Sequence, residues 1–558
     1  MFSKRMRHIN RYHEIAVVLA NHGFGYLIEE IDLIQKLPYH ERLRVTPRDA
    51  NPADLSERIR MVLQELGPTY IKLGQIASTR PDIFPHEIIA NLEKLQDNVA
   101  AFPFEQVQNL ISKELGADIE EIFQDFEAQP LAAASIGQVH AATLKSGQKV
   151  AVKIQRPDIA AVIETDLEIL LELAVTAQNR LQWAKKYQIA DLIDEFAKAL
   201  RKELDYSIEA RNTDKFAMQL KKQPYFYIPQ VHWDYSTKRI LTTEFLQGIK
   251  INQSDMLSQQ GYNLSAIANR LAKGIFQQIF VEGFFHGDPH PGNIVVMPQE
   301  VIALLDFGMV GRLGSDMKNC LSALVIGLKR NNTDDLLKAI LCMEIVPAQV
   351  DLRQLRDDIE LFKDTYYGIP LSKISIGEVI TNFFSLTQKH AIRVPADLVL
   401  VGKTLLTIES IVKRLDPVLS LLDIAEPFGE KLLLERMNPK TIAESVWKTI
   451  IEFGDLFNNI PKSVKELSAI IKQGRLHIDV SLTETELILR HQDRISNRLS
   501  VSIMLLAFSI IMGSIIISQS LRGQSSLSSN LPIIEIGFFI AVFMFAWILY
   551  AIIRSGKL

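Results

Sequence analysis

Alternating apolar and polar positions predict a β-strand at Val150 to Gln155, which reads VAVKIQ. Lys153 is the only charged residue in this strand, so one ammonium group lies in an otherwise apolar setting. An edge strand with an exposed lysine fits the same pattern. A second predicted strand, RILTTEFLQG at Arg239 to Gly248, ends in a turn. The two strands place a sheet in the first half of the chain.

A helical pattern lies between these strands. Apolar side chains recur at every fourth position from Asp191 to Phe216, which predicts one amphipathic helix; they are Leu192, Phe196, Leu200, Leu204 and Ile208. Glu203 lies at the border of this apolar stripe. We therefore expect Glu203 to face inward and to form an ion pair with Lys153, although a glutamate on a solvated flank fits the pattern too.

Two stretches near the C-terminus are long and apolar enough to cross a bilayer. Leu499 to Ser518 contains twenty uncharged, mainly apolar residues, and Ile536 to Ile553 contains eighteen more. Arginines precede the first stretch, and Arg554 and Lys557 follow the second, so the positive-inside rule puts both ends in the cytoplasm. We predict an integral protein of the cytoplasmic membrane with its other domains in the cytoplasm. A buried soluble hairpin is the alternative.

Length and composition agree with a multidomain protein. The 558 residues are 47% hydrophobic, which is enough to bury a large core. The net charge is only -4 and no basic patch is interleaved with aromatic residues, so we do not expect nucleic acid as a partner. Cys320 and Cys342 form no CxxC pair, so we expect buried thiols in a reducing compartment, and a disulfide is the alternative. Ile15 to Leu37 predicts an amphipathic helix, interrupted at Gly23 and Gly25. We expect it to pack on the rest of the protein, and contact with a membrane is the alternative.

Three polar residues have the spacing of the phosphoryl-transfer site in protein-kinase-like folds. Asp288 and Asn293 lie five positions apart in HGDPHPGN, and Asp306 follows thirteen positions later in LLDFGMV. Phosphoryl transfer depends mainly on positioning and charge neutralisation. We expect Asn293 and Asp306 to bind Mg²⁺ against the phosphates of ATP, and Asp288 to face the attacking oxygen.

Further motifs lie upstream of these residues. Lys72 to Gln75 reads KLGQ, and its polar side chains interrupt an apolar stretch. An alanine-rich loop precedes the first strand, at Ala132, Ala133, Ala134 and Ser135. With these motifs the chain resembles the UbiB family of atypical kinase-like proteins over roughly residues 60 to 420. KLGQ is similar to the KxGQ signature of that family, and the ELDY run with Glu203 is similar to its ExD motif.

The resemblance implies roles for these residues. Lys153 and Glu203 would be the ion pair of the active site, and Asp288 the aspartate of the catalytic loop. The alanine-rich loop, Lys72 and Gln75 would lie at the nucleotide, and the hinge at Glu244 would present backbone groups to adenine. The implied biological role is biosynthesis of ubiquinone or a related isoprenoid quinone. Its partners would be a quinone precursor or other membrane lipid, the bilayer, and quinone biosynthesis enzymes.

Three features distinguish the chain from a conventional protein kinase. Alanines replace the glycines that let backbone N–H groups close over phosphates. Asp306 is followed only by GMVGRLG before a predicted helix at Ser315 to Lys329, without an Ala-Pro-Glu sequence. Gly287 occupies the position of a phosphate-pairing arginine. The resemblance also places the KxGQ segment over the nucleotide site, where it limits access for protein substrates; a solvent-facing helix edge is the alternative.

The predicted architecture is α+β, with a two-lobed protein-kinase-like fold, a helical N-terminal extension and a C-terminal transmembrane helical hairpin. The predicted activity is that of a magnesium-dependent ATPase or phosphotransferase, and a nonenzymatic nucleotide-binding scaffold at the membrane is the alternative. The predicted segments are an N-terminal helical segment, the KxGQ extension, the N-lobe, the C-lobe, a helical connector and the membrane spans, at 1–60, 61–130, 131–248, 249–416, 417–498 and 499–553.

Overall fold

The computed structural model describes residues 2–30, 54–81, 83–95, 100–186, 188–343, 346, 350–366, 374–390, 392 and 394–436, with isolated positions between 503 and 543. The chain divides into two compact units, Met1–Ser445 and Val446–Leu558, and the elements below belong to the first. Apart from these isolated positions, the predicted membrane spans and most of the predicted connector lie outside the described residues. Within the described part, none of the helices combines the length and the hydropathy that a bilayer crossing requires.

Seven helices precede the first strand among the described residues: α1 (Phe2–Asn21), α2 (Gly25–Glu30), α3 (Leu55–Leu66), α4 (Pro68–Ser78), α5 (His86–Leu92), α6 (Phe104–Leu115) and α7 (Ile119–Ile122). The chain turns between α1 and α2 at Gly23, which has a φ of 77°. Ile15 on α1 is buried in a cluster with Val62 of α3 and Tyr70 of α4. The N-terminal helix therefore packs on the following helices, as its apolar pattern predicts.

The N-lobe sheet contains β1 (Phe123–Phe126), β2 (Ala132–Ala133), β3 (Gly137–Leu144), β4 (Lys149–Gln155) and β6 (Ile240–Glu244). These antiparallel strands have the order β1-β3-β4-β6, and β2 pairs with β3. The VAVKIQ strand is β4, and it lies inside the sheet rather than at its edge. Val150, Val152 and Ile154 are fully buried on one face, so Lys153 projects from the other.

Four helices follow β4: α8 (Ile159–Arg180), α9 (Gln182–Lys186), α10 (Ile189–Glu203) and α11 (Tyr206–Leu220). The predicted single helix over Asp191 to Phe216 is wrong, because the chain leaves the helical conformation at Asp205. The backbone of Asp205 is extended, with a φ of -107°, and its carboxylate accepts a hydrogen bond from the Ser207 backbone N–H at 3.0 Å. This N-cap starts a second helix with its own orientation.

The C-lobe begins with β7 (Ile249–Lys250), α12 (Ser254–Gln259) and α13 (Leu264–Phe276), which continues as a π-helix at Gln277–Glu282. Its sheet has the order β5-β10-β9-β7, and a separate pair joins β8 and β11. The remaining strands are β5 (Phe226–Tyr227), β8 (Phe284–His286), β9 (Ile294–Met297), β10 (Val301–Leu304) and β11 (Val310–Arg312).

Six helices complete the described part of this unit: α14 (Ser315–Lys329), α15 (Thr333–Cys342), α16 (Leu352–Thr365), α17 (Ile376–Lys389), α18 (Ala396–Leu415) and α19 (Leu421–Arg436). Helix α18 is central, because Val401, Ile408 and Val412 belong to the large core around α13. Cys320 on α14 and Cys342 on α15 form a disulfide, so the expectation of two free thiols is wrong. Adjacent helices bring the two side chains together, which sequence spacing does not reveal.

We predict that Gly311→Ala destabilises the fold, because the added methyl group would lie 2.0 Å from the buried Phe285 ring. Overpacking of this kind costs about 1–3 kcal/mol. The matched control is Gly314→Ala in the same segment, where nothing lies within 4 Å of the added methyl group. The midpoint of thermal unfolding should fall clearly for Gly311→Ala alone. Equal midpoints for both variants would contradict this packing.

Candidate active site

A partly buried ammonium group organises the site. Lys153 Nζ on β4 lies 2.9 Å from Glu209 Oε2 on α11 and 3.5 Å from Asp306 Oδ2 after β10. Burial lowers the pKa of Lys153, but the Asp306 and Glu209 charges more than offset this effect, and the pKa lies well above its usual value. Burial raises the pKa of Glu209 to about 7, whereas the Lys153 charge holds the pKa of Asp306 below its usual range.

The predicted ion pair between Lys153 and Glu203 is wrong, since the partner of Lys153 is Glu209. Glu203 ends α10, whereas Glu209 lies in the first turns of α11. Because the Asp205 cap separates the two helices, Glu203 points elsewhere and binds Lys72 Nζ of the KxGQ segment at 2.7 Å. The sequence does contain a signal for Glu209. Asp205 is a typical N-cap residue, and it predicts that a new helix starts just before Glu209.

Helix α11 also fixes the segment that contains Asp306. The Asn212 side chain donates a hydrogen bond from Nδ2 to the Phe307 carbonyl at 3.0 Å. The Phe216 ring packs on the buried Phe307 ring, with centroids 4.8 Å apart. One helix thus positions both the carboxylate that pairs with Lys153 and the backbone next to Asp306. Sequence reasoning did not identify Asn212, because its partner is a backbone carbonyl distant in the chain.

The catalytic loop is held by a buried neutral histidine. His286 Nδ1 accepts a hydrogen bond from the Asp288 N–H at 3.2 Å, and Nε2 lies 3.0 Å from the Leu305 carbonyl. These partners assign the proton to Nε2. Burial lowers the pKa of His286, which agrees with an uncharged ring. His286 therefore couples the position of Asp288 to the strand end that presents Asp306.

The two predicted metal ligands lie at one end of the β9–β10 hairpin. The Leu305 N–H donates to the Asn293 carbonyl at 2.8 Å, one residue before Asp306. The Asn293 amide nitrogen donates to the Asp288 carbonyl at 3.3 Å, so its oxygen is the atom that faces away from the loop. A carboxylate and an amide oxygen suit Mg²⁺, which usually keeps water and phosphate in its remaining positions. The donor set at this hairpin fits magnesium.

The prediction of one alanine-rich loop is wrong in its first half, because Ala132 and Ala133 form β2; Ala134 and Ser135 lie in the tight turn between β2 and β3. The Ala134 N–H donates to the Gly137 carbonyl at 2.7 Å. Ser135 is fully buried, and its hydroxyl has no hydrogen-bond partner within the described residues. A buried polar atom of this kind normally needs a partner. In kinase-like folds this loop covers the phosphates of the nucleotide. The Ser135 hydroxyl is therefore a donor at a position that suits a bound phosphate.

The remaining predicted site residues have identified partners. Gln75 Nε2 donates to the Leu95 carbonyl at 3.3 Å, so this side chain ties α4 to the segment after α5. The Glu244 carboxylate ends β6 and accepts a hydrogen bond from the Tyr227 hydroxyl at 2.8 Å. A contact of either residue with nucleotide, and control of substrate access by the KxGQ segment, stay predictions. Lys72 lies near enough to lower the pKa of Asp306, although Lys153 contributes most.

The two lobes, the paired lysine and the catalytic loop define an atypical kinase-like protein. Family models match an ABC1 atypical kinase-like domain at residues 94–340, a UbiB helical domain at 359–420 and an ABC1/UbiB kinase-like C-terminal domain at 483–554. The chain belongs to the ABC1/UbiB family. This finding confirms the family predicted from the motifs.

Relatives match most of the chain. A Clostridium pasteurianum protein from the hydrogenase 1 5′ region is 31% identical over 558 residues, which cover 99% of this chain and 100% of the relative. A probable protein kinase UbiB from Marinobacter nauticus is 34% identical, over 70% of this chain and 72% of its own. The chloroplastic protein ACTIVITY OF BC1 COMPLEX KINASE 7 from Arabidopsis thaliana is 33% identical, over 77% and 62% respectively.

We predict that Glu209→Gln lowers kcat/KM for ATP by about tenfold or more, because it leaves the partly buried ammonium group of Lys153 with one carboxylate fewer. Glu203→Gln serves as the matched control from the adjacent helix, since its partner is Lys72. The measurement is ATP turnover against nucleotide concentration for both variants. An equal loss in both would contradict the assignment of Glu209 as the partner.

We predict that Asp306→Asn weakens nucleotide binding by about tenfold or more in Mg²⁺, because it removes a negative charge from the residues that would hold the ion. Binding in EDTA should not weaken. Lys153→Ala should weaken binding under both conditions. Titration calorimetry with Asp316→Asn, on an exposed turn of α14, as the control checks this expectation. Wild-type affinity of Asp306→Asn in Mg²⁺ would show that the metal site is assigned wrongly.

Proposed function

We propose that the protein is a membrane-anchored ATPase or small-molecule phosphotransferase that handles precursors of ubiquinone or a related isoprenoid quinone. The observation that carries the enzymatic part is the Lys153 ammonium group held between the Glu209 and Asp306 carboxylates. In kinase-like enzymes a lysine paired with a helix glutamate, together with the metal-binding aspartate, must be in place for phosphoryl transfer. The complete set favours turnover over a purely structural role.

Each residue has a role in this proposal. Lys153 binds the inner phosphates, while Glu209 keeps its ammonium group in position. Asn293 and Asp306 would hold Mg²⁺, and the Ser135 hydroxyl would donate to a phosphate oxygen. When bound, Mg-ATP supplies the phosphoryl group and the cation that offsets its charge. Asp288 orients the attacking oxygen of water or of an acceptor and accepts its proton.

An apolar ligand is supported by a cavity in the C-lobe. The cavity has a volume of about 110 Å³, and its lining is apolar, including Phe280, Leu324, Val379, Ile380, Leu405 and Leu422. Engineered apolar cavities of about 150 Å³ bind molecules such as benzene. The C-lobe therefore has room for the end of an apolar chain. The two predicted membrane spans support access to a ligand that stays in the bilayer.

We predict that full-length protein in liposomes hydrolyses ATP about fivefold or more faster when phenolic analogues of a quinone head group are added, because a ligand that favours the active state shifts the population toward it. A chain that ends before Leu499 should lack this response. Asp306→Asn in the same liposomes measures background hydrolysis. Steady-state phosphate release is the measurement.

The biological role is tested by quinone profiling in cells that lack the protein and carry one of three versions. The wild type should restore quinone and deplete its precursors, whereas the truncated chain and Asp288→Asn should not. Restoration by Asp288→Asn would favour the nonenzymatic scaffold. Two outcomes together would contradict a role of the membrane in activity. They are equal ATPase rates with and without membrane and analogue, and normal quinone in cells that carry the truncated chain. The spans would then be a simple anchor.

A further inference from the structure

Helix α18 contacts the catalytic loop through three neighbouring side chains. Lys403 Nζ lies 3.0 Å from Asp288 Oδ1. The buried Thr404 hydroxyl donates to the His286 carbonyl at 3.2 Å and lies 3.4 Å from that of Gly287. Leu400 fills the space beside Gly287, where an added methyl group would lie 2.6 Å from a Leu400 carbon. The loop that presents Asp288 is thus attached to a helix distant in sequence.

The catalytic loop carries no strong cation of its own. The sequence from Gly287 to Gly292 is GDPHPG, without lysine or arginine. Its histidine, His290, caps the following turn, because its Nδ1 accepts a hydrogen bond from the Gly292 N–H at 3.2 Å. The positive charge next to Asp288 therefore comes from α18.

The ion pair differs from an ordinary surface pair. The Lys403 and Asp288 side chains are only 30% and 38% exposed. Exposed pairs contribute little, partly because two mobile side chains must be ordered. Here the contacts of Thr404 and Leu400 hold the helix against the loop, so the backbone positions that carry the two charges are already fixed. Lys403 is consequently placed to restrict the direction of the Asp288 carboxylate.

We propose that Lys403 is a positioning residue for phosphoryl transfer, which orients the Asp288 carboxylate toward the attacking oxygen. This inference rests on the proposed function of Asp288. Because Lys403 acts through Asp288 and not through the phosphates, its loss should affect the chemical step more than nucleotide binding. The residue lies in the segment that matches the UbiB helical domain, so that region contributes directly to the active site.

The test compares steady-state ATP hydrolysis by full-length Lys403→Met, Lys403→Arg and wild type in liposomes. We expect Lys403→Met to lower kcat about ten- to a hundredfold with KM for ATP within about threefold. Lys403→Arg should recover a substantial part of kcat, since it restores the charge. Lys413→Met is the matched control, because Lys413 is an exposed lysine on the same helix that pairs with Glu409. Its kcat should equal that of the wild type.

A double-mutant cycle with Asp288→Asn identifies the route of the effect. If Lys403 acts through Asp288, adding Lys403→Met to Asp288→Asn lowers kcat no further. Independent, multiplying losses would overturn the proposal, as would wild-type kcat in Lys403→Met or an equal loss in Lys403→Arg. If Asp288→Asn itself retains wild-type turnover, the proposed catalytic role of Asp288 fails, and this inference fails with it.

Discussion

The pairing of the Lys153 ammonium group is the constraint on which the active site depends. A charged amine that is partly withdrawn from water, with its side chain 23% exposed, is stabilised by opposite charges close by, and here it has two carboxylates from separate elements. That requirement fixes the distance between β4, the first turns of α11 and the segment after β10. Glu209 is almost fully covered, whereas the Asp306 side chain is 48% exposed. The arrangement leaves the second carboxylate available to a cation while the first remains with the lysine.

The same constraint extends into the C-lobe through backbone contacts. Asn212 and Phe216 on α11 hold the carbonyl and ring of Phe307, and His286 joins the catalytic loop to Leu305. These contacts involve buried groups, so their geometry is set by packing rather than by mobile surface side chains. A displacement of α11 would therefore move the Lys153 partner and the Asp306 segment together.

Much of the site was readable from sequence because its chemistry lies in short local motifs. The sequence spacing of Asp288, Asn293 and Asp306 predicts that they lie close together, because all three belong to one loop and the hairpin that follows it. The apolar period did not identify Glu209, because a periodic pattern does not show where a helix is interrupted. The break at Asp205 separates two helices, so the apolar positions before it and after it do not form one continuous face. A local pattern could not predict the role of Lys403, because helix α18 is distant in sequence from the catalytic loop. The adjacent Thr404, for example, lies 118 residues from its hydrogen-bond partner His286. The disulfide was missed for the same reason, as it depends on how two helices pack.

Helix α18 explains how the catalytic centre stays ordered without a long activation segment. In conventional protein kinases a phosphorylated activation loop arranges the metal-binding aspartate and the helix glutamate. Here the short segment after Asp306 forms β11, whose Arg312 N–H donates to Asp397 at the start of α18. The same helix contacts the catalytic loop through Thr404 and lines the apolar cavity through Leu405. A shift of α18 would therefore move groups next to Asp288 and the segment after Asp306 together, because one helix contacts both.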